Sequence, residues 1–280
     1  MTTLSLADVI KSVRDLPSLP AVVAELMTSF DQADASIDLL ADKVSRDQAL
    51  TAKTLRIANS SFYGLPRKVT TIQQAIIILG MDSIRTLITA AAVTDKFASS
   101  QHAAFDFKVF WRHSVSTALC AKLLAREAKL NQDAAFITGL LHDIGKLVLV
   151  TSFPDQYSQA IAYRRTHDCY MLEAERKVLG VDHIVAGLAL AEHWKFPVII
   201  QRAIGSHHAP KIQDHGDIPG LVHVADAIAH ALDLSRLEDD LVPPMSESAW
   251  NSFNVSPDAI QALFRGTESE FEEACQIFTI

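Results

Sequence analysis

This chain of 280 residues is short of several things at once. It has three cysteines, Cys120, Cys169 and Cys275, and no CxxC pair. That excludes a disulfide-stapled scaffold and a zinc ribbon, and the thiols are expected to stay reduced in a cytoplasmic protein. It has no basic excess, because charged residues make up 21% and the formal net charge is −8. Phosphate backbones and anionic membrane surfaces recruit clustered Lys and Arg, so neither nucleic acid nor membrane is an expected partner. The N-terminal MTTLSLADVIKSV carries Asp8 and has no basic segment leading into an apolar one, so no signal peptide is expected. No uninterrupted apolar run reaches the ~18 residues of a spanning helix. By its length and alanine content, TLITAAAV (86–93) is expected as buried helix.

What is abundant is apolar side chain, at 49% of residues. That composition is of a folded globular protein, with chain enough for one large domain or two small ones. Helical periodicity dominates, and VLV (148–150) continues a helical pattern despite its strand character. Asp47 is placed to cap QALTAKTLRIAN. Thr70 with Gln73, or Thr71 with Gln74, fits a capping box before AIIIL. Gly80 fits the residue past that helix, Asp82 would cap the next, and Asn131 or Asp133 would open the helix carrying LLHDIGK. Pro17, Pro20, Pro66, Pro154, Pro197 and Pro210 fall between helical segments, where proline does least harm.

The fold class expected is all-α, a two-lobed helical bundle. The first lobe covers residues 1–97, the polar ASSQHAAFDF (98–107) connects, and the second lobe covers 108–232. Residues 233–280 are expected to pack on the module as a surface loop, LEDDLVPPMSESAW (237–250), and two helices, in SPDAIQALF (256–264) and SEFEEACQIF (269–278).

Most of the eleven histidines fall in the second lobe. His142 and Asp143 stand side by side in LLHDIGK (140–146), inside an apolar run where two adjacent polar groups need partners. His113, His183, His207, His208 and Asp226 complete a set of donors. Mixed imidazole and carboxylate ligands suit Zn, Mn or Fe. Two metals about 3.5–4 Å apart share a bridging carboxylate in many hydrolytic sites. Asp143 is the natural bridge, with His142 serving one metal and His183 with His207 or His208 the other. Lys146 is expected to offer a cation to a phosphate oxygen, and its plainer reading is a solvated helix end. Gly139 and Gly145 weaken a helix and so point to close helix contacts or a helix end. A lone His on an apolar helix is most often a hydrogen-bonded core residue. His102, His167, His215, His223 and His230 take that reading or simple exposure, and His193 is expected to pack near Trp194.

The order His113, His142–Asp143, Asp226 resembles the HD superfamily of metal-dependent phosphohydrolases. His183 and His207–His208 resemble the extra ligands of its binuclear members, including the HD-GYP cyclic-di-GMP phosphodiesterases. The GYP signature is absent, since HHAP is followed by KIQDHGDIPG. The better resemblance, over about residues 14–232, is to the HDOD family of HD-related output domains in bacterial signalling. It rests on LPSLPAVVAELM (16–27), DQALTAKTLRIANSSFYG (47–64), TTIQQAIIILGMDSIRTLITAAAV (70–93), FWRHSVSTALCAKLLA (110–125), AAFITGLLHDIGKLVL (134–149), EAERKVLGVDHIVAGLALAEHWKFP (173–197) and AIGSHHAP (203–210). The resemblance implies an HD-like C-terminal lobe in a bacterial signal-transduction module, often without demonstrated catalysis.

Three functions compete at this stage. The first is a signalling output module that acts on a protein partner; its candidate docking edge is RIANSSFYGLPRK (56–68), whose Phe62 and Tyr63 more plainly pack on the core. The second is a phosphohydrolase with a divalent metal (Mn, Fe, Zn or Mg), with Asp143 and Lys146 as catalytic residues and a nucleotide or other phosphate-containing small molecule as substrate. The third is a helix-turn-helix DNA binder in IDLLADKVSRDQALTAKTLRIA (37–58), using Lys53 and Arg56. The nearby Asp38, Asp42 and Asp47 and the core-like pattern of Leu50, Thr54, Leu55, Ile57 and Ala58 weigh against that third reading.

Overall fold

The computed structural model describes residues 3–16, 18–28, 37–60, 63, 65, 67–97, 100–238 and 240–277. Every regular element among them is a helix. The N-terminal part holds α1 (Leu6–Asp15), α2 (Ala21–Thr28), α3 (Ile37–Ser45), α4 (Gln48–Ala58), α5 (Ile72–Leu79) and α6 (Met81–Phe97). The central part holds α7 (Phe107–Glu127), α8 (Gln132–Leu141), α9 (Ile144–Ser152), α10 (Pro154–His167), α11 (Met171–Val178), α12 (His183–His193), α13 (Val198–Ser206) and α14 (Ile218–Leu232). Then come α15 (Glu247–Asn251) and α16 (Pro257–Ile277).

Local chemistry sets most of the boundaries. Asp47 accepts from the Leu50 amide, Thr71 from Gln74 and Asn131 from Ala134, each satisfying an amide that the helix leaves orphaned. Pro154 opens α10 and Pro197 precedes α13, while Pro17 and Pro66 lie outside the described residues. Gly80 ends α5 at φ 87°, a backbone conformation that favours glycine. Its carbonyl also accepts from the Ile84 amide, so it begins α6 as well. Asp82 therefore does not cap α6; it lies in the first turn, 3.7 Å from the Arg85 guanidinium.

Helix α7 is central, packed by α8, α14 and α16. Helix α9 packs on α12, α13 joins α12 to α14, and α6 links the N-terminal helices to α8. The buried apolar cluster runs without interruption from Val9 through Ile88 and Leu140 to Cys275. Helix α1, although first in sequence, rests on α9 and α12, and the Leu4 amide bonds the Leu179 carbonyl at 2.6 Å. The C-terminal pair of helices expected from sequence is a single one. Gly266 lies inside α16 against α7, where a Cβ would stand 3.1 Å from Leu123 Cδ1. Arg112 clamps the same interface, bonding Glu272 at 2.7 Å and the Leu234 carbonyl at 3.0 Å.

In the 37–58 stretch, Leu50, Thr54, Ile57 and Ala58 are buried, and Lys53 lies 3.7 Å from Asp95. Those residues serve packing between α4 and α6. Tyr63 packs on the core with the Lys122 ammonium over its ring, and Asn59 ties the turn by bonding the Val69 amide and carbonyl. Phe62 lies outside the described residues. The stretch Gln132–Ser152 is apolar enough to pass as a membrane span, yet it is 89% buried inside the protein and is interrupted at His142–Asp143. The three cysteines are unpaired.

The two glycines of the LLHDIGK region mark close contacts. A Cβ on Gly139 would lie 3.0 Å from Ala118 Cα, and one on Gly145 only 1.8 Å from the His183 carbonyl oxygen. Helices α9 and α12 thus touch backbone to backbone. Gly145→Ala is expected to force them apart and to lower stability by roughly 1–3 kcal/mol, read as a lower urea midpoint; an unchanged midpoint would refute this contact.

Candidate metal centre

Asp143 stands at the break between α8 and α9, at φ −100° and ψ 10°. It occupies the N-cap position, where an aspartate normally accepts a bond from the helix's own amides. Here it makes no such bond. Its carboxylate turns into the lobe instead, where it is buried. His142 and Asp143 are therefore not interior to one helix. The chain pauses there, and both side chains project to the same side.

The two carboxylate oxygens face different groups. Oδ2 lies 3.4 Å from His142 Nε2, 3.9 Å from His113 Nε2 and 2.5 Å from Lys146 Nζ. Oδ1 lies 3.4 Å from His183 Nε2 and 3.5 Å from His207 Nε2. Asp226, from the middle of α14, sends Oδ1 to 3.0 Å from His113 Nε2 and 3.3 Å from His142 Nε2. His208 Nε2 lies 2.9 Å from His183 Nε2, so His207 and His208 both join the second group. All eight residues expected from sequence meet in one place.

The imidazoles are held by their other nitrogens. His142 Nδ1 donates to the Gly139 carbonyl at 2.7 Å, and His207 Nδ1 donates to the Ile204 carbonyl at 3.0 Å. A carbonyl only accepts, so each Nδ1 carries a proton and the inward Nε2 is the metal-facing nitrogen. His183 Nδ1 bonds Glu175 Oε2 at 2.6 Å. Glu175 also accepts from the His183 amide at 2.8 Å and from the Tyr157 hydroxyl at 3.1 Å. Asp182 caps α12, which places His183 at the first helical position.

Four buried atoms in the cluster have no hydrogen-bond partner: His142 Nε2, Asp143 Oδ1, His207 Nε2 and Asp226 Oδ1. Native proteins seldom leave such atoms orphaned, so a concentration of them calls for a ligand. The donors fall into sets that fit one ion each. His113, His142 and Asp143 form one, and Asp143, His183, His207 and His208 another, with donor atoms within 4.8 Å of each other. The residues present therefore fit one or two divalent metals, with Asp143 common to both sets.

The buried carboxylates dominate the electrostatics of the protein groups in the cluster. Burial opposes charge on His142, but the Asp143 carboxylate, joined by Asp226, outweighs it and raises the pKa to about 10. Burial and the neighbouring His230 lower His113 to about 4. Burial also lowers His207 and His208. Asp143 is held well below the usual carboxylate range despite burial, by Lys146 first and His142 next. The two aspartates thus keep their charge and gather positive charge around them.

Three further groups were not expected from sequence. His230, read as background, sits one turn after Asp226 with Nε2 3.5 Å from Asp226 Oδ1 and its ring 4.3 Å from that of His113. Its Nδ1 bonds Asp240 Oδ2 at 2.6 Å. Glu175 is the second, and Asp240 the third. Asp240 belongs to the stretch read as a surface loop. Among described residues, 233–238 and 240–246 run without helix along the site instead, and Tyr170 holds the Val242 carbonyl at 3.2 Å. His223 is the core histidine expected; it joins the His207 carbonyl, 2.6 Å from Nδ1, to the Ser246 amide, 2.8 Å from Nε2. His193 is exposed at the end of α12 while Trp194 is buried. His102 bonds the Pro154 carbonyl, and His167 stacks on Tyr163.

The cluster opens onto a cavity of about 140 Å³. Its floor carries His113, Asp143, Lys146, His183, His208 and His230. Phe105, Phe110, Tyr157, Ile161 and Leu241 supply apolar wall, and Arg164 and Arg165 of α10 add positive charge.

Comparison with known proteins places the family and the fold. The sequence profile of the HDOD domain matches residues 16–210. An HDOD domain protein of unknown function from Geobacter sulfurreducens has the same fold, with a TM-score of 0.80, 25% identity and 98% of each chain covered. A candidate phosphohydrolase from Shewanella amazonensis SB2B is 27% identical, with a TM-score of 0.75 and 98% and 97% of the two chains covered. An uncharacterized protein of Treponema pallidum (strain Nichols) is 23% identical over 74% of this chain and 40% of its own length. The chain spans two fifths or less of the length of the curated relatives it matches.

Because Glu175 fixes both the proton and the orientation of His183, Glu175→Gln is expected to weaken metal affinity roughly 10–100-fold. Competition against a chelating dye measures it, with circular dichroism to show that the helices persist. Affinity equal to that of the unaltered protein would remove Glu175 from the site's support.

Proposed function

This chain belongs to the HDOD family, and from that premise we propose that it is a bacterial, cytoplasmic signal-transduction module that binds two divalent metals at its His/Asp centre. The observation that carries the reading is the convergence of four buried donor atoms without hydrogen-bond partners, two of them on imidazoles already held through Nδ1. His113, His142, Asp143 and Asp226 would hold one metal, and Asp143, His183, His207 and His208 the other. Its ligand would be a phosphate-containing small molecule, and its output would pass to a protein partner.

A second reading, hydrolysis of a phosphoester, is supported by the cavity that joins the centre to Lys146 and by the likeness to the Shewanella candidate phosphohydrolase. Divalent metals in such a site supply a hydroxide at neutral pH and polarise a phosphoryl oxygen. The chain's own contributions are then definite. Lys146 offers a half-buried cation beside Asp143, where charge develops on a transferring phosphoryl group. Glu175 keeps the proton on His183 Nδ1, and the apolar wall limits water around the reacting atoms.

Metal analysis of the purified protein should find two metals per chain. Asp143→Ala should lose both and Asp226→Ala one. Protein that stays metal-free with added Mn or Fe would refute the metal centre. A screen with p-nitrophenyl phosphate and nucleotides separates the two readings. Turnover abolished by Asp143→Ala supports hydrolysis, and a fully metallated but inert protein leaves the signalling reading alone.

A further inference from the structure

One imidazole of the cavity floor belongs to neither of the two metal sets proposed above. His230, on α14, lines the cavity with its ring 4.3 Å from that of His113. Its Nε2 lies 3.5 Å from Asp226 Oδ1. That oxygen is also 3.0 Å from His113 Nε2 and 3.3 Å from His142 Nε2, yet it is buried and accepts no hydrogen bond from any of them. Three ring nitrogens close on one carboxylate oxygen without bonding to it, which suits a shared cation better than a hydrogen-bond network. The donor atoms of His113, Asp226 and His230 lie within 4.8 Å of one another, close enough to share an ion. The other side of the ring is committed. His230 Nδ1 bonds Asp240 Oδ2 at 2.6 Å, and the ring is only 14% exposed. An ionised carboxylate only accepts, so Nδ1 keeps its proton and Nε2 is the nitrogen that turns inward. Glu175 holds His183 of the second set in the same way. Asp240 is itself fixed, since its Oδ1 accepts from the Leu241 amide at 3.1 Å and Tyr170 holds the Val242 carbonyl next along the chain.

We propose that His230 is a further ligand of the first metal, joining His113 and Asp226 through Nε2, and that Asp240 is its positioning residue. The ion is the divalent metal of the proposed centre, and the inference rests on that reading. Any proton that Nε2 carries before the ion arrives leaves to solvent as the bond to the metal forms. The pair repeats the carboxylate–histidine–metal arrangement on residues outside the two sets assigned above. It also ties the non-helical segment after α14 to metal loading, because a shift of Asp240 frees the ring. The alternative is an imidazolium that pairs with Asp226 and Asp240 and touches no metal. The two differ in sign. A paired cation competes with the metal for Asp226, so removing it tightens metal binding, whereas removing a ligand weakens it.

The test is calorimetric titration of the metal-free full chain with cobalt(II), followed in parallel by its visible absorption. The step to watch is the one that Asp226→Ala abolishes. Asp240→Asn is expected to weaken it roughly 10–100-fold, the effect of losing a ligand's outer partner. His230→Gln is expected to weaken it at least as much and to alter its absorption bands, while the other step stays as in the unaltered protein. That unchanged step also shows that the fold persists. An unchanged or tighter step in His230→Gln is the result a paired imidazolium gives, and it overturns the ligand assignment alone. Weakening of both steps together marks a structural role and overturns it as well. An unaltered protein that binds no cobalt(II) overturns the metal centre and this inference with it.

Discussion

Two carboxylates buried side by side, Asp143 and Asp226, are what the rest of the centre answers to. Taking a carboxylate out of water costs several kcal/mol even after the protein relaxes around it. Lys146 at 2.5 Å, His142 between the two aspartates and His230 beside Asp226 supply positive charge, and His113 adds a neutral imidazole 3.0 Å from Asp226. Orientation matters as much as charge. Because Asp143 gives up its place as a helix cap, both of its oxygens stay available to the cluster, one for each set of imidazoles.

The helices act as a jig for nitrogen atoms. His142 follows the last turn of α8 and His207 the last turn of α13, where carbonyl groups lack helical partners. Each imidazole satisfies such a carbonyl through Nδ1 and so presents Nε2 inward. His183 solves the same problem at a helix start, where Glu175 accepts both the ring proton and the free amide. The close approach of α9 and α12 at Gly145 then fixes how near Asp143 and His183 stand.

How much of this was legible in the sequence depends on whether a residue's role was written into its neighbourhood. The adjacent His142 and Asp143 in an apolar run announced themselves, and family order brought His113, His183, His207, His208 and Asp226. Spacing alone could not gather them, since α7, α12, α13 and α14 meet only in the fold. His230 left a usable signal, one turn after Asp226 on the same helix face, yet its apolar surroundings made it look like a core residue. Glu175 left almost none. In EAERK it reads as one charge on a solvated helix, and only the packing of α11 buries it. Asp240 sits in a polar stretch whose path over the cavity no local pattern records. The two C-terminal helices expected in 256–264 and 269–278 are one continuous helix, because the residues between them carry on the same helix against α7.

His223 deserves a last consequence. Its ring has two nitrogens, and both are spent, one on the carbonyl of His207 and one on the amide of Ser246. An imidazole with one proton can donate once and accept once, and here it does both. The cage and the segment that passes beside it are therefore wired in series through a single ring. A displacement at either end leaves the other with a buried polar group unmet, so the two ends hold their places together or lose them together.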